Sequence, residues 1–546
     1  MSRPRSTFAR LLADRQSDPA GRRWLYVPYD QLTAEMGPLS EEDPHEVGIV
    51  LVEAPAKAAL RPYHRQKLAL VLANQRHFAL EQAARGVAVR YEIAEGTYAD
   101  ALTPLAQELG PLRVMEPAER ELRADLASAV DAGALRVLPH DGWLTTREEF
   151  LAGAGASPPW RMDAFYRLVR RATGILMEDG KPVGGKYSFD SENRRPWRGE
   201  PPAPTPPTFT ADAVTQEVAS LIELRYRDHP GRLDLEHLPA TAADADALWT
   251  WAMRECLPAF GPYEDAMSTR SRGLFHTRIA ALLNLHRLTP RRVVTDALAL
   301  DLPLASQEGF IRQILGWREF VRHVHRETDG FRRTEGSRDG LAGAKPDLTA
   351  GDAAPSMLHA NWPLPPAFWG APAGFACLDT VVREVWDDAY GHHITRLMVL
   401  ANIATLLGVS PRELTDWFWV AYADAYDWVV EPNVLGMGTY AAGDVMTTKP
   451  YVSGAAYINR MSDYCLACAF DPKGTYPLSD LYWQFLARNR DRLAGNPRVA
   501  LPLRSLARRS SARSARDARV LEVVRARLSS GRPVTPADLP PVSRRD

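Results

Sequence analysis

Residues 48–54, GIVLVEA, form an unbroken apolar run that reads as a strand buried on both faces. Around it, WLYVPY (24–29), VAVRYE (87–92), LRVMEP (112–117) and LRVLP (135–139) read the same way, while the segments near 60–85, 97–109 and 118–132 carry helical spacing. Short strands that alternate with helices predict an α/β unit over residues 1–150, built on a doubly wound parallel sheet. No Gly-x-Gly-x-x-Gly follows the first strand, so the sequence carries no dinucleotide signal of the usual kind.

Beyond this unit the pattern changes. The crowding of proline in ENRRPWRGEPPAPTPPTF (192–209) removes backbone donors and fixes φ, which places an interdomain linker over 151–210. From about residue 211 to 500 the periodicity is helical and rich in Trp and Tyr, with Pro290 and Pro411 marking helix boundaries. The last segment, 501–546, is an Arg-rich tail opposed only by a few acids, which reads as a solvated or disordered run or a phosphate-attracting patch. The chain of 546 residues has 45% hydrophobic and 24% charged content and a formal net charge of −1, a globular balance that argues against a general nucleic-acid coat. Two or three domains are expected. The Arg-containing start has no apolar core, and no run approaches the length of a membrane span, so a cytoplasmic protein is expected. With 4 cysteines there is no disulfide framework, and the pair Cys465 and Cys468 reads as metal-binding, redox or structural.

Four elements of the helical half carry chemistry. In AYGHHITRLMVLANIATLLG (389–408), helical spacing puts Ala389, His393 and Arg396 on one face, although a satisfied core histidine is the ordinary reading of such a pattern. DWFWVAYADAYDWVVEPNVLGM (416–437) reads as a dense aromatic helix around Asp424, a buried acid for which Arg396 is the natural partner. GLFHTRIAALLNL (273–285) sets Thr277 and Arg278 at a helix start, where backbone donors favour phosphate. GFIRQILGWREFVRHVH (309–325) is an amphipathic helix that carries Gln313, Trp317 and Arg318.

Taken with DQL (30–32), YHRQKL (63–68), QRHFA (75–79), RMDAFYR (161–167), KPYVSGAAYINRMSDYC and LYW, these motifs resemble, in order and over nearly the whole chain, the cryptochrome/photolyase family in its bacterial iron–sulfur branch. The resemblance implies an N-terminal Rossmann-like antenna domain joined to an all-helical domain that binds FAD. It implies cofactor contacts for Thr277, Arg278, Gln313, Arg396 and Asp424, and a proton-transfer role for His393 accompanied by His392. It implies stacking of Trp317 on a flipped-out lesion and electron transfer through Trp417 and Trp369, with Phe418 where a relative has tyrosine. A lumazine-type antenna is implied, with Asp30, Gln31 and His64 as its candidate contacts.

Two departures follow from the same comparison. The family binds a 4Fe–4S cluster with four cysteines, of which Cys377, Cys465 and Cys468 are present, whereas the residue before Pro477 is Tyr476. Asp471, Asp480 or Tyr476 are the substitutes for the missing ligand, and Cys256 reads as a core thiol. Val430 occupies the position that the family fills with a hydrogen-bonding side chain opposite flavin N5. The implied activity is light-driven, FAD-dependent repair of (6-4) photoproducts in UV-damaged DNA by a monomer. The alternatives are a blue-light photoreceptor without repair, and a nucleic-acid-binding protein on a degenerate photolyase scaffold.

Overall fold

A computed structural model describes residues 6–332 and 353–541. Five strands, β1 (Arg23–Tyr26), β2 (Val47–Glu53), β3 (Ala88–Ile93), β4 (Leu112–Met115) and β5 (Leu135–Leu138), form one parallel sheet in the order β3-β2-β1-β4-β5. All of β2 is buried, as its apolar run requires, and Ile49 pairs with Leu25 on one side and Val89 on the other. The strand order reverses between β1 and β4, which makes their carboxyl ends a topological switch point where open sheets of this kind leave a crevice.

Helices Arg65–Ala84, Tyr98–Leu109 and Arg120–Asp131 occupy the segments that helical spacing marks. The first ties the two halves of the molecule together. Its Arg76 pairs with the buried Glu53 at the end of β2 at 2.7 Å, while Lys67 donates to the carbonyl of Trp419 at 2.8 Å in the helical half. One apolar core accordingly runs from one sheet face, at Trp24, Tyr26 and Val50, to Trp417 and Trp419; a smaller cluster around Leu25, Ile49 and Phe78 covers the other face.

The helical half differs from expectation at three places that shape the site. The helix expected from residue 389 starts instead at His393, because Ala389 ends the preceding helix Ala376–Asp388 in the left-handed conformation at φ 52°. The aromatic helix is two helices, Pro411–Ala421 and Asp427–Glu431, and Asp424 lies on the break between them. Helix Leu304–Ile311 passes through a π turn at Arg312–Arg318, which carries Gln313 and Trp317, before it continues as Glu319–Glu327. The Arg-rich run past 500 contains the helix Ser511–Ser529, which buries Val520, Val524 and Leu528 on one face and leaves Arg513 and Arg519 exposed on the other, so the run is solvated but helical. Arg509 pairs there with Asp517 and Arg516 with Asp480, so part of its positive charge is neutralised internally. Among the described residues no helix is long and apolar enough to cross a membrane.

Candidate functional site

A cavity of about 480 Å³ lies in the helical half between the 270–282 segment, the 388–390 turn and the 422–426 break. Its size is that of a small-molecule or cofactor pocket. Arg270, Arg272 and Arg278 line it. Arg272 bridges Asp387 and Asp388 at 2.8 and 2.5 Å, and Arg278 reaches Asp388 at 3.3 Å while its guanidinium covers the Tyr390 ring at 4.1 Å. Arg270 packs on Trp197 at 4.5 Å. A cationic wall of this kind suits a phosphate-bearing ligand.

Asp424 supplies the opposing acid. Arg396 holds it in a two-pronged pair at 3.0 and 2.9 Å, donates from Nε to the Gly391 carbonyl at 2.7 Å, and lies over the Tyr422 ring at 3.9 Å. Burial disfavours the guanidinium charge, but Asp424 outweighs it and the Arg396 pKa rises. Asn284 donates to the Asp424 carbonyl at 2.9 Å, and Lys67 donates to the Ala425 carbonyl at 2.5 Å. Burial pushes Lys67 down to about 7 against the pull of Asp424. The break that carries Asp424 is thus held from three directions.

His392 and His393 stand one turn before Arg396, together with His276, which precedes Thr277. The rings of His276 and His392 stack at 4.4 Å and 10°, and His393 meets His276 edge-on at 5.4 Å. Burial pushes His276 down to about 4 and His392 well below the ordinary value, so the stacked pair is neutral; burial and the cations Arg312 and Arg396 lower His393 in the same direction, but its side chain is 41% exposed and its Nε2 lies 4.0 Å from Asp265. Their ligand nitrogens lie within 4.8 Å of one another. A metal would have to lie in both planes of the stacked pair, which parallel rings do not permit, so the pair is a stack of neutral imidazoles. His276 Nε2 contacts the Glu264 carbonyl at 3.1 Å; the Glu264 carboxylate accepts from Gln313 and Asn193, each at 2.5 Å, and is pushed up to about 7 by burial. Gln313 is therefore bound to Glu264 and joins the histidines through it. Trp317 is half-buried against Phe320, and Thr277 is buried between the cavity-lining His276 and Arg278. Val430 is buried in its helix, off the cavity lining.

Trp417 is buried and Trp369 is 47% exposed. Trp386, which sequence reasoning passed over, lies between them: it stacks on Trp369 at 5.4 Å and meets Trp417 at 5.9 Å. Trp417 in turn touches Tyr422 at 6.1 Å, the ring beneath Arg396. Neither Trp386 nor His276 has a spacing signal of its own; only the tertiary packing selects them.

At the switch point of the sheet Asp30 is buried and pushed up to about 6 by burial, and Gln31 donates to the Met115 carbonyl at 3.2 Å. His64 is not brought to them. It caps its helix by accepting from the Gln66 amide at 3.0 Å and contacts the Trp386 carbonyl at 3.0 Å. A second cavity of about 90 Å³ nearby is lined by Tyr29, Lys57, Glu119 and Tyr426, with Lys57 bound to Tyr29 and Glu119 at 2.6 Å.

Cys377, Cys465 and Cys468 converge on Tyr476. The Tyr476 hydroxyl is 2.9 Å from Cys377 Sγ. Cys256 is apart from them, a buried thiol 3.7 Å from the His276 carbonyl. Three sulfurs and a phenol already engaged with one of them do not fit a cluster held by four thiolates.

Residues 10–238 match the family described as deoxyribodipyrimidine photo-lyase-related protein. The chain is 35% identical over 499 residues to a (6-4) photolyase of Agrobacterium fabrum, an alignment that spans 88% of this chain and 94% of that protein. The fold is similar to a bacterial class III photolyase from Agrobacterium tumefaciens, with TM-score 0.53, 14% identity and coverage of 82% and 85% of the two chains. It is also similar to a cryptochrome of Synechocystis sp. PCC6803, with TM-score 0.51, 14% identity and coverage of 76% and 82%.

Proposed function

This chain belongs to the cryptochrome/photolyase family, in its photolyase-related branch, and on that premise we propose that it is a light-driven, FAD-dependent enzyme that repairs (6-4) pyrimidine photoproducts in DNA. The observation that carries the reading is the Arg396–Asp424 pair at the cavity, with His392 and His393 one turn away on the same segment. Bound in this cavity, FAD would supply light-driven electron transfer to the lesion. Every other part of the task falls to the chain's own residues.

Arg270, Arg272 and Arg278 bind phosphate, and the two-pronged Arg396–Asp424 pair fixes the orientation of what lies against it. Trp317, on the π turn, offers a half-buried indole on which a displaced base can stack. His393 holds the proton needed at the lesion. In the free protein burial and the cations Arg312 and Arg396 lower its pKa, while Asp265, 4.0 Å from its Nε2, favours the proton; a phosphodiester and a developing anion beside it favour the imidazolium further, so substrate helps to set the proton in place. Trp369, Trp386 and Trp417 carry an electron from the surface toward the Arg396 end of the cavity.

The test is a duplex with one defined (6-4) lesion, incubated with the purified protein in blue light and in darkness. Light-dependent restoration of the bases, with flavin released on denaturation, is expected. A yellow protein that photoreduces its flavin but leaves the lesion intact would instead be a photoreceptor. A colourless folded protein from flavin-replete cells would defeat both readings and leave the nucleic-acid-binding one.

A further inference from the structure

We infer that this chain has dispensed with the iron–sulfur cluster and that a metal-free plug built on Tyr476 and Cys377 holds that part of the fold in its place. Both side chains are buried, at 3% and 2% exposure, and the hydroxyl–thiol contact of 2.9 Å occupies the sulfur that iron would need. A phenol also extends farther from the backbone than a thiol, so the ring fills space in which a cluster would sit. That ring is packed on both sides: it stacks on Phe470 at 5.8 Å and meets Phe375 edge-on at 5.8 Å.

The backbone keeps it there. The Tyr476 amide donates to the Asp471 carbonyl at 2.9 Å, the Asp471 amide donates back to Thr475 Oγ1 at 2.9 Å, and the helix Leu478–Arg488 starts directly after Pro477. Withdrawal of the ring to admit a cluster would break this turn. No carboxylate stands in for the missing sulfur either. Asp471 is exposed and accepts from the Lys473 amide at 3.0 Å, and Asp480 is paired with Arg516 at 3.2 Å. The contacts that join residues 375–377 to residues 465–476 are therefore hydrogen-bonded and aromatic, and the fold at this end is independent of iron.

The inference does not rest on the repair reading, because its readouts are metal content and stability. Full-length protein is prepared anaerobically from iron-supplemented and from iron-depleted cells, and iron, acid-labile sulfide and thermal midpoint are measured for each. Iron and sulfide at about a tenth of a full complement or less, with one midpoint for both preparations, is expected. A full complement in the supplemented sample, or a midpoint that falls on iron depletion, overturns the inference. Two variants identify the plug. Tyr476→Phe keeps the ring and loses the contact to Cys377, and is expected to stay iron-poor with a lowered midpoint. Tyr476→Cys is expected to gain iron, sulfide and broad visible absorption together. A folded Tyr476→Cys protein with no gain of iron would overturn the assignment of the plug to Tyr476.

Discussion

Trp386 meets Trp417 edge to face with ring centroids 5.9 Å apart, and its other side stacks on the half-exposed Trp369 at 5.4 Å. The indoles form a continuous contact from solvent to a fully buried ring. Both inner indoles donate to the same acceptor, the Phe368 carbonyl, at 2.9 Å, which fixes their mutual angle.

Replacement of Trp386 by Phe keeps aromatic packing and removes the oxidisable indole. Photoreduction of the bound flavin with an external donor is expected to slow by at least about tenfold. Repair by protein reduced beforehand should be unchanged. The rate of flavin bleaching under blue light measures the first, and an unaltered rate would mean that electrons enter by another route.

Asp424→Asn leaves the guanidinium of Arg396 buried without its acid. Removal of one partner of such a pair costs about 3 kcal/mol. A lower denaturation midpoint and loss of flavin through gel filtration are expected together; retention of the flavin at full occupancy would place its orientation elsewhere.

His393→Ala should lower light-driven repair by about 10²–10⁴-fold, the range of a lost general acid, while flavin content and photoreduction stay intact. Loss of the flavin in this variant would instead make His393 part of its binding site.

Stability should decline between about pH 6.5 and pH 4 in part through His276. The folded protein keeps this imidazole neutral to about 4, whereas the unfolded chain takes up a proton from 6.5 downward. The unfolded state therefore binds more protons in that window, and the group costs up to about 3 kcal/mol at its lower end. Urea midpoints of His276→Phe, which keeps a ring against His392 but cannot titrate, should fall less steeply on acidification than those of the parent. Parallel slopes would show that His276 is not the group responsible.

Much of the site was legible at the level of residue type. Arg396 and Asp424 were expected to pair, and the structure pairs them; both ends of the tryptophan chain were identified, but its centre was not. Trp386 lies on an amphipathic helix where an indole reads as ordinary core, and its role comes from the rings on either side. Gln313 was expected at the cofactor; its amide donates to Glu264, because a buried carboxylate needs donors, and that bond was not legible in the sequence. His64 was expected, with Asp30 and Gln31, as a candidate antenna contact; its ring serves as a helix cap and faces Trp386.

The sequence alone determined the family, the alternation that makes a parallel sheet, and the chemical types gathered in the helical half, because periodicity and motif order are properties of the chain itself. Only the tertiary structure decided where the helices break and which distant groups meet. Ala389 takes a left-handed conformation at the end of its helix, so His393 opens a new one; Asp424 lies on a break that Asn284 and Lys67 hold from other elements; Tyr476 finds Cys377 across 99 positions. Each depends on hydrogen bonds and burial supplied by residues remote in sequence, and local propensity contains no term for them.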